Sequence, residues 1–356
     1  MKKIILTGGG TAGHVTPNIA LLPLLQEAGY DISYIGSYNG MEKSLIESHD
    51  IPYYGISSGK LRRYLDIKNL SDPFRVIKGY REAVKLMRSL QPDIVFSKGG
   101  FVTVPVVLAA HRAHIPVVIH ESDMTPGLAN RIAIPSATKV CCNFPETVSS
   151  LPSGKAELTG SPIREALLHG DAKKGKEICG FVDDKPVIMA MGGSLGAVAI
   201  NNALREALPA LLKDYNVIHL CGDKNIEKSL YNLPGYHQMG HAKDELPHLF
   251  ALADALVSRA GANSICEFLA LSKPNLLIPL PAESSRGDQI LNAKSFMEQG
   301  YSMVLQESDL TVDSLVKNIN ELFANKETFI SAMTGSATLD AAQKIVNIIE
   351  SIVENN

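Results

Sequence analysis

Two glycine-rich turns, each directly after a short apolar run, constrain this 356-residue chain more than any other feature. The first turn spans Gly8–His14 after the run Ile4–Leu6, and the second spans Gly192–Ala197 after Val187–Met191. Apolar residues at helical spacing follow both turns, so each turn is predicted to join a buried strand to a helix. Glycine lets backbone N–H groups approach a ligand, and a helix N-terminus favours phosphate. The pattern predicts two Rossmann-like α/β domains that face each other across a cleft.

The remainder of the chain repeats the alternation of strand and helix, which is typical of parallel sheets with helical crossovers. The predicted strands are Lys3–Leu6, Asp31–Ile35, Ile94–Phe96, Val117–His120, Lys139–Cys142, Val187–Met191, Val217–Cys221, Ala255–Ser258 and Asn275–Ile278. We expect a domain boundary near Gly160–Pro162, followed by a charged surface connection at Asp171–Glu177. The last segment, Leu339–Val353, is predicted to be an amphipathic helix that caps one of the domains.

Composition narrows the classes of partner and cofactor. A formal net charge of −3 gives no reason to expect nucleic acid. The five cysteines form no CxxC pair, which indicates reduced, apolar thiols and no metal clamp. No apolar run approaches the ~20 residues needed to span a bilayer, so any membrane contact is expected to be peripheral. The chain lacks an Asp-x-Asp motif, so a bound diphosphate would be neutralised by amides and cations, without a metal.

Polar loops are predicted to meet His14 at one edge of the first sheet. The first turn lacks the GxGxxG spacing of a dinucleotide site. His14 follows it on the ligand side of an open α/β sheet, where it could instead serve as a helix cap or packing residue. The segments Ser97–Gly100 and His120–Asp123 also end strands at this edge. Three such loops are more than folding requires, which favours a binding or catalytic site.

The second half offers two further candidate segments. Ser264 and Glu267 fit a capping box, but the Glu267 carboxylate could also accept hydrogen bonds from a ribose diol. Asp288 and Gln289 could cap the helix that follows them, or could present a carboxylate and an amide to sugar hydroxyls.

A basic segment lies between the first glycine turn and the segment Ser97–Gly100. From residue 60 to residue 88 the chain has nine Lys or Arg against three acids. The loop Lys60, Leu61, Arg62 and Arg63 is the candidate patch for anionic lipid, each cation contributing ~1 kcal/mol near such a surface. The alternative is an ordinary surface helix with a solvated basic face. From Phe74 onwards this helix is expected to hold its apolar residues, Phe74, Ile77, Val84 and Met87, on one side.

Taken in order, these motifs resemble one family over nearly the whole chain. The motifs are Gly8–His14, Ser97–Phe101, His120–Ser122, Gly192–Ala197, Arg259–Ala262 and Asp288–Gln289 with Asn292–Ala293. They are similar to the MurG family of peptidoglycan N-acetylglucosaminyltransferases. Ala12 departs from the glycine usual in that family, although a small residue should still allow the turn. The insertion Ser284–Gly287 resembles versions from Gram-positive bacteria.

The resemblance implies a GT-B fold and an inverting transfer of GlcNAc from UDP-GlcNAc to the C4 hydroxyl of MurNAc in lipid I, giving lipid II. It implies an acceptor and membrane-associating domain at 1–162, a UDP-GlcNAc domain at 163–336, and a helix at 337–356 that returns to the first domain. It also implies a peripheral location on the cytoplasmic side of the cell membrane, with lipid I, anionic phospholipid and cell-wall assembly proteins as partners.

The resemblance further assigns roles to single residues. Ser194 would bind the diphosphate, Arg164 would reach the donor, Glu267 would bind ribose, and Asp288 and Gln289 would read the GlcNAc hydroxyls. Other substrate contacts fall on Thr11, Ala12, Gly13 and Asn130, with uracil near His241 and Ala242. His14 is the favoured general base and Glu121 its rival; no metal and no cofactor are expected. The alternatives are a UDP-GlcNAc 2-epimerase, a transferase for another lipid, and a non-catalytic membrane scaffold.

Overall fold

The computed structural model describes residues 2–59, 72–192, 197–283, 287–336, 338 and 340–356. The chain divides into two compact units: Met1–Arg164 together with Asp340–Asn356, and Glu165–Leu339. The first unit runs to Arg164, two residues beyond the domain break predicted after residue 162. The patch Lys60–Arg63, Ser194 and the insertion Ser284–Arg286 lie outside the described residues.

The first unit is built on a seven-stranded parallel sheet. Its strands are β1 (Lys2–Thr7), β2 (Tyr30–Ser37), β3 (Tyr53–Ile56), β4 (Ile94–Ser97), β5 (Val117–Glu121), β6 (Lys139–Cys142) and β7 (Ala156–Leu158). Its first six helices are α1 (Thr16–Glu27), α2 (Met41–Glu47), α3 (Asp72–Leu90), α4 (Thr103–Arg112), α5 (Leu128–Ala133) and α6 (Pro145–Ser149). Ile4 and Leu6 join the core on one face of the sheet and Ile5 the core on the other, so β1 is buried on both sides.

The second unit is built on a six-stranded parallel sheet. Its strands are β8 (Val187–Met191), β9 (Asn216–Leu220), β10 (Tyr236–Met239), β11 (Ala255–Ser258), β12 (Asn275–Leu277) and β13 (Met303–Val304). Its helices are α7 (Ala172–Cys179), α8 (Val198–Leu211), α9 (Leu246–Leu252), α10 (Ala262–Ala270), α11 (Asp288–Glu298), α12 (Val312–Ala324) and α13 (Lys326–Thr334).

The last helix, α14 (Ala341–Glu354), belongs to the first unit. Its apolar stripe includes Ile345 and Ile349, which are fully buried in the core that also holds the apolar residues of α1. An ion pair of 3.3 Å between Lys2 Nζ and Glu350 Oε1 joins its polar side to β1. Burial of this stripe explains why an amphipathic segment at the end of the chain folds against the first sheet.

Strand order in both sheets fixes where ligands are expected. The orders are β3-β2-β1-β4-β5-β6-β7 and β10-β9-β8-β11-β12-β13. The winding therefore reverses between β1 and β4 in the first sheet, and between β8 and β11 in the second. Ligands of open α/β sheets bind beyond the carboxyl ends of the strands at such a reversal. The loops after β1, β4, β8 and β11 are the ones this rule selects.

All nine predicted strands are present, each with bounds within two residues of the prediction. The charged stretch Asp171–Glu177 is largely exposed, as predicted, but it is helical and not a simple connection. Most of it forms α7, because the Asp171 carboxylate caps the helix by accepting the N–H of Lys173 at 2.8 Å. Gly175 lets α7 pack closely on α9, since a Cβ there would lie 2.4 Å from the His248 carbonyl oxygen. In the part of the chain described, every helix is too short or too polar to cross a membrane.

Candidate active site

The first glycine turn forms one wall of a cavity of about 310 Å³ at the carboxyl edge of the first sheet. The cavity is lined by Gly9, Gly10, Thr11, His14, Ser37, Glu42, Ser58, Gly100, Phe101 and Val102. After Gly10, whose φ is +89°, a short 3-10 turn (Ala12–His14) leads into α1. Thr11 is exposed, whereas Ala12, Gly13 and His14 are half-buried. Of the predicted substrate contacts in this turn, Thr11 lines the cavity and Ala12 and Gly13 do not.

The His14 ring is held by the turn that precedes it. Its Nδ1 atom lies 3.1 Å from the Gly9 carbonyl oxygen and 3.1 Å from Thr11 Oγ1. Because a carbonyl oxygen can only accept a hydrogen bond, whereas the Thr11 hydroxyl can accept or donate, we assign the proton to Nδ1. The lone pair of the neutral ring then resides on Nε2, which is the arrangement required of a histidine base.

The loops after β1, β4 and β5 converge, as the sequence predicted. A Cβ added at Gly100 would lie 2.2 Å from the Gly9 carbonyl oxygen, so the first two loops touch through their backbones. A Cβ added at Gly99 would lie 3.2 Å from Asn130 Oδ1. Asn130 in turn contacts the end of β5, because its Nδ2 donates to Glu121 Oε2 at 2.8 Å.

Glu121 braces the third loop and is almost wholly buried. Its Oε1 accepts the N–H of Asp123 at 3.0 Å, and its Oε2 accepts the N–H of Gly127 at 3.1 Å. Burial raises the pKa of Glu121, and the hydrogen bond from Asn130 opposes that rise. The two carboxylate oxygens accept three hydrogen bonds, which fix the loop after β5. This favours a structural role for Glu121.

Two further polar side chains, one directly after β4 and one near the end of β5, are buried. The Lys98 ammonium donates to Ser122 Oγ, and His120 Nε2 lies 2.8 Å from the Gly160 carbonyl oxygen. Burial, with Lys98 nearby, lowers the pKa of His120 well below its ordinary value. A neutral His120 therefore ties the end of β5 to the Gly160 backbone, four residues before the half-buried Arg164, after which the second unit begins.

In the second unit, the second glycine turn begins at Gly192 and α8 begins at Val198. Behind this turn, Asn201 of α8 donates to the Cys221 carbonyl oxygen at 2.9 Å and accepts from His219 Nε2 at 2.9 Å. His219 Nδ1 in turn lies 2.8 Å from the Tyr236 hydroxyl. Burial, with Arg205 as a smaller cause, lowers the pKa of His219 to about 3. The network fixes the start of α8 against the neighbouring strands.

Glu267 lies on α10, directly after the reversal at β11. The helix begins at Ala262 with Gly261 before it, so Ser264 stands inside the first turn. The capping-box interpretation of Ser264 and Glu267 is therefore wrong. Glu267 is half-buried at the sixth helical position, where it does not serve as an N-terminal cap.

Asp288 and Gln289 open α11, and Gly287 with φ +79° precedes them. Gly287 occupies the cap position, so neither side chain caps the helix. Gln289 Oε1 accepts the N–H of Leu280 at 3.1 Å, a contact that fixes the orientation of the side-chain amide. Asn292 Nδ2 donates to the Ala260 carbonyl oxygen at 3.3 Å, joining α11 to the loop after β11.

Other residues of this unit were overlooked or only loosely placed by the sequence. Buried Arg259 donates to the Ile278 carbonyl oxygen at 3.0 Å and pairs with Glu307, so it anchors the loop. His241, predicted near uracil, has its Nδ1 3.0 Å from an Asp223 carboxylate oxygen.

The sequence also missed Glu42, whose side chain is fully buried in the wall of the first cavity. Its signal was available, since Glu42 follows Gly40 just after β2, the strand beside β1.

The N-terminal part of α3, which follows the candidate lipid patch in the sequence, exposes two of its apolar residues. Phe74 is 75% exposed and Ile77 is 51% exposed, whereas Met87 of the same helix is 2% exposed. Gly79 contacts the chain near Ser57, because a Cβ there would lie 2.0 Å from the Ser57 carbonyl oxygen. The apolar residues of α3 are therefore packed near its C-terminal end and exposed at Phe74 and Ile77.

Comparison with known proteins agrees with this geometry. The glycosyltransferase family 28 N-terminal domain matches residues 4–142, and the C-terminal domain of that family matches residues 187–351. A protein of Lachnospira eligens is 61% identical over 98% of this chain and 99% of its own length. One of Lachnoclostridium phytofermentans is 60% identical over 99% of both. Both are named UDP-N-acetylglucosamine–N-acetylmuramyl-(pentapeptide) pyrophosphoryl-undecaprenol N-acetylglucosamine transferase.

Two solved structures share the architecture of this chain. Acinetobacter baumannii MurG superimposes with a TM-score of 0.78 at 28% identity, covering 99% of this chain and 100% of that one. The UDP-GlcNAc 2-epimerase of Neisseria meningitidis, at 14% identity, shares the fold with a TM-score of 0.70, covering 98% of this chain and 100% of that one. The two parallel-sheet units give the chain the GT-B fold. With full-length relatives at about 60% identity, the chain belongs to the MurG family of glycosyltransferases.

Proposed function

We propose that this protein transfers GlcNAc from UDP-GlcNAc to the C4 hydroxyl of MurNAc in undecaprenyl-diphosphate-linked MurNAc-pentapeptide. The observation that carries the proposal is 61% identity over 98% of the chain to a relative named for this reaction. That identity spans the strand-end loops of both units. The product is lipid II, the disaccharide-bearing lipid of peptidoglycan synthesis.

The second unit holds the donor in this proposal. The N-terminus of α8 and the amides of the turn before it favour the diphosphate, with Ser194 as a hydroxyl ligand. Arg164, the last residue of the first unit before the second begins, supplies a cation to it. Glu267 accepts hydrogen bonds from the ribose diol. Asp288 accepts from a GlcNAc hydroxyl and the Gln289 amide donates to another, which its contact with Leu280 supports by orienting the amide.

His14 is the general base in this proposal. The MurNAc C4 oxygen forms a bond to C1 of GlcNAc while the bond from C1 to the UDP oxygen breaks and its electron pair leaves with UDP. The hydroxyl proton passes to His14 Nε2, and a single displacement turns the α-linked donor into a β1→4 product. Glu121 is the weaker candidate because its oxygens already accept three hydrogen bonds. If His14→Ala keeps kcat within about threefold of wild type, this role is lost.

The first unit binds the acceptor and rests on the cytoplasmic surface of the cell membrane in this proposal, and cell-wall assembly proteins join it there. The cations at 60–63 attract anionic headgroups, and the exposed Phe74 and Ile77 supply apolar contact beside Arg75 and Lys78. Flotation with anionic vesicles tests this. Lys60→Glu, Arg62→Glu and Arg63→Glu together should reduce binding, and the control Lys173→Glu with Lys174→Glu on α7 should not.

The test of the reaction must separate transfer from epimerisation, because epimerases share the fold. Proton NMR of the protein with UDP-GlcNAc alone should show no new sugar nucleotide. Addition of a short-chain lipid I analogue should then release UDP. Formation of UDP-ManNAc without acceptor would instead establish the epimerase, and UDP release with other lipid-linked sugars but not with lipid I would establish a different acceptor.

A further inference from the structure

A single peptide group connects a buried carboxylate to His14. The peptide that joins Gly9 to Gly10 offers its carbonyl oxygen to His14 Nδ1 at 3.1 Å. The N–H of the same peptide donates to Glu42 Oε2 at 3.3 Å. Carboxylate, peptide and imidazole therefore form one continuous chain of hydrogen bonds.

The Glu42 carboxylate is itself firmly held. Its side chain is fully buried, and its Oε1 accepts both the N–H of Ser37, at 3.0 Å, and the Ser37 hydroxyl. The backbone around it has no room for side chains, because a Cβ at Gly9 would lie 2.7 Å from Oε1 and one at Gly40 would lie 2.1 Å from it. The two glycines thus leave space for this carboxylate at the cavity wall.

We infer that Glu42 is a positioning residue for the transfer reaction, acting on His14 through the Gly9–Gly10 peptide. The inference rests on the proposed role of His14 as base. A carboxylate that accepts the peptide N–H polarises the peptide, and neighbouring hydrogen bonds in such a chain strengthen one another. The stronger Gly9 carbonyl holds the proton on Nδ1, keeps the basic lone pair on Nε2 and stabilises the imidazolium that forms during transfer.

The charged surroundings favour this coupling. Among the described residues that line the cavity, His14 and Glu42 are those with acidic or basic side chains. Behind the turn, the Tyr34 hydroxyl donates to the Gly8 carbonyl oxygen at 2.9 Å, and burial raises the pKa of Tyr34, so it stays neutral. Lys98, the residue directly after β4, donates to Ser122 in the loop after β5.

The test is Glu42→Gln, which replaces one acceptor oxygen by an amide donor. We expect kcat to fall by about ten- to a hundredfold, as for other partners that orient a histidine, with the KM for UDP-GlcNAc within about twofold. The acidic limb of the pH profile of kcat should move to lower pH, because loss of the carboxylate makes His14 less basic. Glu42→Asp, which retracts the charge by one methylene, should give a smaller change of the same kind and serves if Glu42→Gln fails to fold.

Glu82→Gln is the matched control, because the Glu82 carboxylate also accepts a backbone N–H of the first unit, that of Ser57 at 2.6 Å, instead of the Gly10 N–H. It should keep kcat and the pH profile. In a His14→Ala background, Glu42→Gln should change kcat by less than about twofold. The full loss in that background would show a structural role and overturn the inference while leaving His14 as base. An unaffected His14→Ala protein would instead remove the proposed base, and the inference with it.

Discussion

Replacement of Gly100 by alanine tests whether contact between two loops positions the base. Gly100 has a φ of +92°, and a Cβ there would lie 2.2 Å from the Gly9 carbonyl oxygen. Ordinary contact begins at 3.4 Å, so the two loops must separate by about 1.2 Å. The displaced group is the carbonyl that accepts the His14 Nδ1–H.

Two effects set the expected magnitude. Backbone strain at a positive φ costs of order 1–3 kcal/mol for a residue with a side chain. A displacement of ~1 Å at a catalytic group can cost ~10²-fold in rate. We therefore expect Gly100→Ala to lower kcat about a hundredfold and to lower Tm by several degrees.

Gly154→Ala is the control, because Gly154 has a φ of +76° but nothing within 4 Å of an added Cβ. It carries the backbone strain without the collision. UDP release with saturating lipid I analogue gives kcat for both variants, and thermal melts give Tm. Gly154→Ala should lower Tm and leave kcat unchanged. If Gly100→Ala lost no more kcat than this control, the contact between the loops would not position His14.

Three further predictions concern buried and donor-site residues. His219 has a pKa of about 3 in the folded protein and ~6.5 in the unfolded chain. Between these pH values the unfolded chain binds more protons, so the free energy of unfolding is highest above pH ~6.5 and falls as the pH is lowered. Urea melts should show the free energy of unfolding falling by up to about 1.4 kcal/mol per pH unit below that pH, and His219→Gln should lessen the slope. Gln289→Glu keeps an acceptor for the Leu280 N–H but loses the amide hydrogens, so the KM for UDP-GlcNAc should rise at least about tenfold with Tm unchanged; an unchanged KM would exclude the contact. Glu121→Gln turns one acceptor oxygen into a donor that faces the N–H of Asp123 or of Gly127, so Tm should fall and kcat should fall less than in His14→Ala; the reverse order would make Glu121 the base.

The sequence predicted the interior of both sheets and missed their borders. The four unpredicted strands, β3, β7, β10 and β13, are the outermost strands of the two sheets. A central parallel strand is covered on both faces and reads as a continuous apolar run, as Val187–Met191 does. An edge strand such as Ala156–Leu158, with no buried residue, carries little of that signal.

Side-chain roles were predictable where they depend on position relative to a strand end. His14, Glu121 and Asn130 lie at or soon after the ends of β1 and β5, on an edge that the strand order brings together, and this follows from the alternating pattern. The Glu42 contact depends on the path of the chain after a different strand, and no local motif marks it. Phe74 and Ile77 repeat at helical spacing like core residues, and periodicity does not distinguish an apolar stripe that packs from one that stays exposed.

Transfer of labelled GlcNAc from UDP-GlcNAc to a short-chain lipid I analogue, with EDTA present, tests the central claim most directly. The account predicts a disaccharide product with a β1→4 linkage, formed at an undiminished rate in the chelator and lost in His14→Ala. Binding of UDP-GlcNAc without any transfer to lipid I would contradict it.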